Sequence, residues 1–215
     1  MIRSLIFDFD GLILDTETAL IDAYGDVHRA NGLPFDRPLF ASRVGHIDFA
    51  FDPWREFGPD ADRDELEMKR KAFHKARNEA QHVLPGVVPL IEEARQARLR
   101  IGLASNSSRS HVEGHLRRLG LIERFDFAAC LGDVRSPKPE PDLYRLVLDR
   151  FGIRGHEAVA FEDSHTGALA AKRAGAWVVA VPNESTGHHD FSHADLRVAS
   201  LADCRLPGLL ARFAA

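Results

Sequence analysis

Apolar residues follow one another along this chain in two different rhythms. The first is the short unbroken run. Arg3-Ser4-Leu5-Ile6-Phe7 ends in Asp-Phe-Asp-Gly and predicts a buried strand that delivers acidic residues into a loop. Arg100-Ile101-Gly102-Leu103-Ala104, Phe127-Ala128-Ala129-Cys130, Ala158-Val159-Ala160-Phe161 and Trp177-Val178-Val179-Ala180 have the same character. Runs without polar alternation belong to strands covered on both faces, as in parallel sheets. The second rhythm has helical spacing. It spans Val87 to Leu99, His111 to Leu119, Pro141 to Phe151 and Thr166 to Ala174, and Gly120, Gly152 and Gly175 close the last three, as helix C-termini prefer. Strand and helix therefore alternate over residues 82 to 215, which predicts an α/β fold with a doubly wound parallel sheet and functional groups at the carboxyl ends of its strands.

Residues 15 to 81 break the alternation. They carry apolar positions at helical spacing (Leu20, Ala23, Tyr24, Val27), turn signals at Asn31-Gly32-Leu33-Pro34 and Asp52-Pro53, and a charged stretch from Arg63 to Arg77. The organisation expected is a core of residues 1–14 and 82–215 with a small α-helical cap domain, residues 15–81, inserted after the first strand. An insertion at that point leaves the sheet at its carboxyl end, where a lid can shut over a site.

Composition narrows the class. The chain has 215 residues, 45% hydrophobic and 28% charged, with a formal net charge of -4. These values suit an ordinary globular protein and disfavour a nucleic-acid partner. Residues 1 to 14 are too short and too acidic for a signal peptide or a membrane span, so a cytoplasmic protein with no membrane association is expected. Cys130 and Cys204 lie in different predicted elements without metal-ligand spacing, which favours buried free thiols. A monomer is the default expectation, and neither repeats nor low-complexity segments occur.

Four places carry candidate chemistry. Asp8 and Asp10 follow an apolar strand and precede Gly11, and two carboxylates so close call for a cation. A lone D-x-D is otherwise an ordinary turn. At Ser105-Asn106-Ser107-Ser108 a strand ends in hydroxyl and amide groups before a helix, which suits phosphate binding and equally suits helix capping. Lys138 stands between Pro137 and Pro139, which restrict its backbone, although a rigid loop before a helix needs nothing more. Glu162-Asp163 closes another apolar strand, and Asp163 can join Asp8 and Asp10 in an oxygen cage suited to Mg2+ or cap the next helix. The four signals come in a fixed order, each at a strand's end or in the loop beyond it, so the joint reading is catalytic.

With those residues in place, Phe7-Asp8-Phe9-Asp10-Gly11-Leu12-Ile13-Leu14-Asp15-Thr16-Glu17 resembles the first motif of the haloacid dehalogenase superfamily, in its subfamily of phosphatases and β-phosphoglucomutase. Ser105, Lys138 and Glu162-Asp163 match the second, third and fourth motifs, and the resemblance covers essentially the whole chain. It implies a Mg2+-dependent hydrolase of a small phosphorylated metabolite, with Asp8 as nucleophile and Asp10 as general acid and base. It also implies phosphate binding by Ser105 and Lys138, with Asn106 as an additional contact. The metal would be held by Asp8, the backbone carbonyl of Asp10 and Asp163, with Glu162 nearby. Because position 10 is acidic, phosphoryl chemistry is expected in place of carbon–halogen cleavage.

A β-phosphoglucomutase-like sugar phosphomutase is the alternative within that family. The mutase's cap histidine and arginine correspond here to Leu20 and Asp48, while Lys71 matches a cap lysine, so a faithful mutase is disfavoured. Arg43, His46, Lys71 and Arg77 are cap candidates for substrate contact, against the simpler reading of solvated helix charges. A phospho-receiver domain or a non-catalytic phosphate-binding protein is the alternative from another class. Receivers are shorter, lack a cap and place the phosphorylated aspartate at the third strand. His188-His189-Asp190 and His193 have metal-like content but read as a surface loop, since the carboxylates already account for the family's metal.

Overall fold

Ser4–Phe7 forms strand β1, every residue of which is buried. Side chains alternate across a strand, so Leu5 and Phe7 pack into one hydrophobic core and Ile6 into another on the opposite face. Each large apolar side chain so buried contributes roughly 1.5–3 kcal/mol. In the computed structural model, which describes residues 1–41 and 51–214, β1 lies inside a six-stranded sheet of order β3-β2-β1-β4-β5-β6. The other strands are β2 (Arg100–Ser108), β3 (Phe127–Leu131), β4 (Ala158–Glu162), β5 (Trp177–Ala180) and β6 (Leu196–Arg197). All of the pairings are parallel.

The eight α-helices among the described residues are α1 (Thr16–Ala30), α2 (Arg37–Ala41), α3 (Arg63–Ala80), α4 (Val87–Gln96), α5 (Arg109–Arg118), α6 (Asp142–Phe151), α7 (His165–Arg173) and α8 (Leu206–Arg212). One face of the sheet is covered by α4, α5 and α8, through Leu90, Ile91, Val112, Leu116 and Leu209. The other is covered by α6 and α7, through Tyr144, Val147, Ala168 and Ala171. This double covering is the reason the strands read as unbroken apolar runs.

Two differences from the expected elements bear on the site. Strand β2 does not stop at Ala104 but runs to Ser108, with an irregularity between Ala104 and Ser108 in its pairing with β3. Polar Ser105 to Ser108 conceal this in the sequence, and Ser108 then caps α5 by accepting the N–H of His111 at 3.3 Å. The edge strand β6 is only two residues long and carries no apolar run of its own.

The chain divides into two compact units, Met1–Leu14 with His82–Ala215, and Asp15–Gln81. The second unit is helical. Asp15 caps α1 by accepting the N–H of Thr18 at 3.0 Å, and Asp62 caps α3 through the N–H groups of Asp64 and Glu65. Its small core is Val27, Trp54 and Leu66. No helix among the described residues is long and apolar enough to cross a membrane. Cys130 and Cys204 are buried free thiols, and burial pushes both up to about 11.

Candidate active site

Because β1 and β4 are neighbours in register, Phe7 opposite Phe161, the residues that follow them come out of the sheet side by side. The backbone N–H of Asp8 continues the ladder by donating to the carbonyl of Phe161 at 3.0 Å. Asp8, Glu162 and Asp163 are all buried, and one carboxylate oxygen from each lies within 4.8 Å of the other two. Into this group Lys138 projects a single ammonium. Its Nζ donates to Asp8 Oδ1 at 2.5 Å, to Glu162 Oε1 at 2.6 Å and to the carbonyl of Ala104 at 2.7 Å.

The charges explain the titration. Burial raises the Asp8 carboxyl, Lys138 opposes it, and Glu162 and Asp10 add to the rise, for a net shift up to about 8. Burial acts to lower the Lys138 ammonium, but Asp8 and Glu162 more than offset it, so the net shift is upward. With all three carboxyls ionised, one ammonium leaves an excess of two negative charges, the state that the raised Asp8 titration resists. Uncompensated buried charge costs several kcal/mol per ion, so the cluster calls for a divalent cation. Two further observations fit one. Glu162 Oε2 is buried and, among the described residues, has no hydrogen-bond partner. The donors are all oxygen, the set that Mg2+ prefers.

The loop after β1 fits closely around this cluster. Gly11 has φ +76°, and a Cβ there would collide with the Asp163 carboxylate. Asp10 is directed elsewhere: its Oδ2 accepts from Ser107 Oγ at 2.5 Å, and its Oδ1 lies 3.1 Å from His111 Nε2. The Asp10 carboxylate holds the His111 imidazolium above its usual value, against the opposing effect of burial. Ser105 is buried and its Oγ accepts the N–H of Ser107 at 3.0 Å, which leaves the hydroxyl proton to donate.

Asn106, expected as an additional phosphate contact, is hydrogen-bonded to the backbone of Lys138. Its Oδ1 accepts the backbone N–H of Lys138 at 2.9 Å and its Nδ2 donates to the Lys138 carbonyl at 3.1 Å. Both ends of the amide are thus used to hold the lysine's backbone. The charged cap candidates divide as well. Arg77 is taken up by Asp22 and Asp26, Lys71 is exposed on α3, and Arg43, His46 and Asp48 lie outside the described residues.

Three residues here were not singled out from sequence. Tyr144 donates its hydroxyl to Glu162 Oε1, and burial together with the Glu162 charge keeps the phenol protonated. Asn183 donates to Asp163 Oδ2 at 2.7 Å, and His111 meets Asp10. Tyr144 falls in the apolar period of α6 with Val147, Leu148 and Phe151 and therefore reads in the sequence as a core residue. Asn183 stands in a loop of Ser, Thr, Gly and His residues and carries no signal of its own.

Comparison with known proteins points in one direction. A family model described as haloacid dehalogenase-like hydrolase matches residues 2–175. YhcW of Bacillus subtilis is 37% identical over 214 residues, covering 98% of this chain and 97% of that protein. The phosphorylated carbohydrates phosphatase of Thermotoga maritima is 32% identical over 182 residues, covering 80% of this chain and 82% of the relative. A crystal structure of CbbY from Rhodobacter sphaeroides in complex with phosphate superposes with a TM-score of 0.71 at 29% identity, covering 94% of this chain and 96% of CbbY.

Proposed function

From the premise that the chain belongs to the haloacid dehalogenase-like hydrolases, we propose that it hydrolyses a small phosphate monoester, a phosphorylated sugar or a near relative, through an aspartyl-phosphate on Asp8. The observation that carries this reading is Asp8 itself. It stands at the end of a central strand, held through one oxygen by Lys138 and grouped with Glu162 and Asp163. The sugar assignment is supported by the carbohydrate phosphatase among its relatives.

In the first displacement the Asp8 carboxylate forms a bond to phosphorus as the bond to the leaving oxygen breaks, and Asp10 gives that oxygen its proton. In the second, Asp10 takes a proton from water, the oxygen of that water bonds to phosphorus, and Asp8 departs as carboxylate. Ser107 and His111 hold the Asp10 carboxyl in one orientation for both transfers. Ser105 donates to a phosphoryl oxygen, and the Lys138 ammonium, whose three hydrogens are engaged by Asp8, Glu162 and the Ala104 carbonyl, offsets the redistributing charge electrostatically. Asp8, Glu162 and Asp163, with the backbone carbonyl of Asp10, would hold Mg2+, whose charge offsets that of carboxylate and phosphoryl oxygens. The helical unit Asp15–Gln81 is the part to which we assign substrate selection.

Hydrolysis is favoured over phosphomutation by the apolar Leu20 on α1, which offers neither proton nor hydrogen bond at the position of the mutase's cap histidine. The test is a panel of phosphorylated metabolites with Mg2+, including β-glucose 1-phosphate with a trace of its 1,6-bisphosphate. Free phosphate is expected to dominate the products. Glucose 6-phosphate forming much faster than free phosphate would overturn hydrolysis in favour of mutation. Asp8→Asn is expected to stay folded by circular dichroism and to lose turnover by roughly 10³-fold or more, the scale on which removal of a covalent nucleophile acts. Near-normal turnover in that variant would rule out Asp8 as the nucleophile.

A further inference from the structure

Three side chains with no part in phosphate hydrolysis converge where α7 begins. His165 is the first residue of α7, Asp190 and His193 lie in the segment after β5, and one ligand atom from each falls within 4.8 Å of the other two. Their hydrogen bonds determine what they can offer. His165 Nδ1 lies 2.7 Å from the backbone carbonyl of Asp190, a group that can only accept. The ring proton therefore sits on Nδ1, and the neutral ring keeps its lone pair at Nε2. A histidine oriented by donating its other nitrogen to a backbone carbonyl is in the arrangement that metal-bound histidines adopt.

The second ring points to a ligand independently. His193 Nε2 is buried and, among the described residues, has no hydrogen-bond partner. A buried nitrogen left that way is unfavourable unless something binds it. The two rings meet edge to face with centroids 4.9 Å apart. Asp190 is oriented by Ser192, whose N–H donates to Oδ1 at 2.8 Å and whose hydroxyl donates to Oδ2 at 3.0 Å. Each carboxylate oxygen retains a lone pair beyond those bonds.

We infer that His165, His193 and Asp190 form a second cation site, for a transition metal such as Zn2+ or Co2+, chemically distinct from the all-oxygen cluster. Two imidazoles and one carboxylate suit borderline-soft ions and serve Mg2+ poorly. Metal–ligand bonds of about 2.0–2.2 Å bring ligand atoms roughly 3.3 Å apart, so the three groups, now within 4.8 Å of one another, would draw together on binding. The site would tie the start of α7 to the segment after β5, which also carries Asn183 and its contact to Asp163. Its role is to brace that segment, so hydrolysis does not require it to be filled.

The probe is Co2+, titrated into the full-length protein in excess Mg2+, so that the carboxylates are occupied by the ion they prefer. The wild type is expected to bind one equivalent by calorimetry, to develop the visible absorption of Co2+ bound by histidine, and to melt at a higher temperature. His193→Gln is expected to lose at least about 100-fold in Co2+ affinity, more than changes outside the ligand set usually cost. Its Mg2+-supported hydrolysis should equal that of the wild type. If His193→Gln does not fold, the exposed Asp190→Asn decides by the same titration. Failure of the wild type to take up Co2+ in excess Mg2+, or unchanged affinity in a folded variant, overturns the site. Loss of Co2+ binding in the folded variant establishes it, whatever substrate the enzyme hydrolyses.

Discussion

Lys138 is fixed at both ends, its ammonium by Asp8, Glu162 and the Ala104 carbonyl and its backbone by the Asn106 amide. That arrangement separates two roles for Asn106 that kinetics can tell apart. If Asn106 acts by holding Lys138, Asn106→Ala lets the ammonium drift, and kcat falls by roughly 10–100-fold because misplacement of order 1 Å costs about that much. KM for the phosphorylated substrate should then change by no more than about threefold, since no ground-state contact is lost. Steady-state kinetics on the best substrate checks this, and a rise in KM at unchanged kcat would restore Asn106 as a direct phosphate ligand. The sequence shows the acids and the lysine clearly, because each stands at the edge of an apolar run or between prolines. It hides their partners. His111 is 101 residues from Asp10 and Asn106 is 32 from Lys138, and no local pattern encodes contacts across such separations.

Among the helices, two glycines make opposite predictions from the same substitution. Gly114 lies in the exposed interior of α5 with nothing within 4 Å of the place a Cβ would take, so Gly114→Ala is expected to stabilise by about 0.5–1 kcal/mol through helix propensity alone. Gly167 lies in the first turn of α7, where a Cβ would collide with the Glu162 carboxylate. Gly167→Ala must displace Glu162 from Lys138, and a destabilisation of about 1–3 kcal/mol is expected in place of a gain. Urea unfolding of the two variants beside the wild type measures both signs. Within the helical unit, Arg77 donates to Asp26 at 2.6 Å and 2.9 Å and thereby joins α3 to α1. Hydrogen bonds from Arg77, opposed by burial and assisted by Arg29, hold the Asp26 carboxyl below its ordinary value of 3.8. A depressed carboxyl contributes its stability above that ordinary value and loses it as pH falls through the lowered one. Asp26→Asn is thus expected to cost about 0.5–1 kcal/mol at neutral pH, a partly screened pair's worth, and the gap to wild type should close as pH drops below about 3.8. Unfolding midpoints taken from about pH 6 downward follow that convergence. At this scale the strands were legible wherever apolar residues ran unbroken. The continuation of β2 through four polar residues and the two-residue β6 were not, because neighbouring strands impose both.

Across the whole molecule, the excess of buried negative charge sets the expected response to metal removal. A chelator should abolish phosphate release and added Mg2+ should restore it, with little change in far-ultraviolet circular dichroism. Undiminished release in excess chelator would remove the oxygen cluster from the reaction. The alternating order of strands and helices was readable because a sheet covered on both faces imposes its period on the sequence. The order in which the strands lie side by side also has a consequence for how the protein is made. Strand β1 pairs Ser4 with Arg100 on one side and with Ala158 on the other. A ribosome adds about 5–20 residues per second, so the earliest-made strand waits roughly 8–30 s for its second neighbour to be synthesised. During that interval Leu5, Ile6 and Phe7, fully buried in the finished fold, have a strand neighbour on at most one side, and β1 is left as an open edge. Nascent chains stalled before residue 158 should therefore be held by chaperones or aggregate, and release from both should begin only once β4 has cleared the exit tunnel.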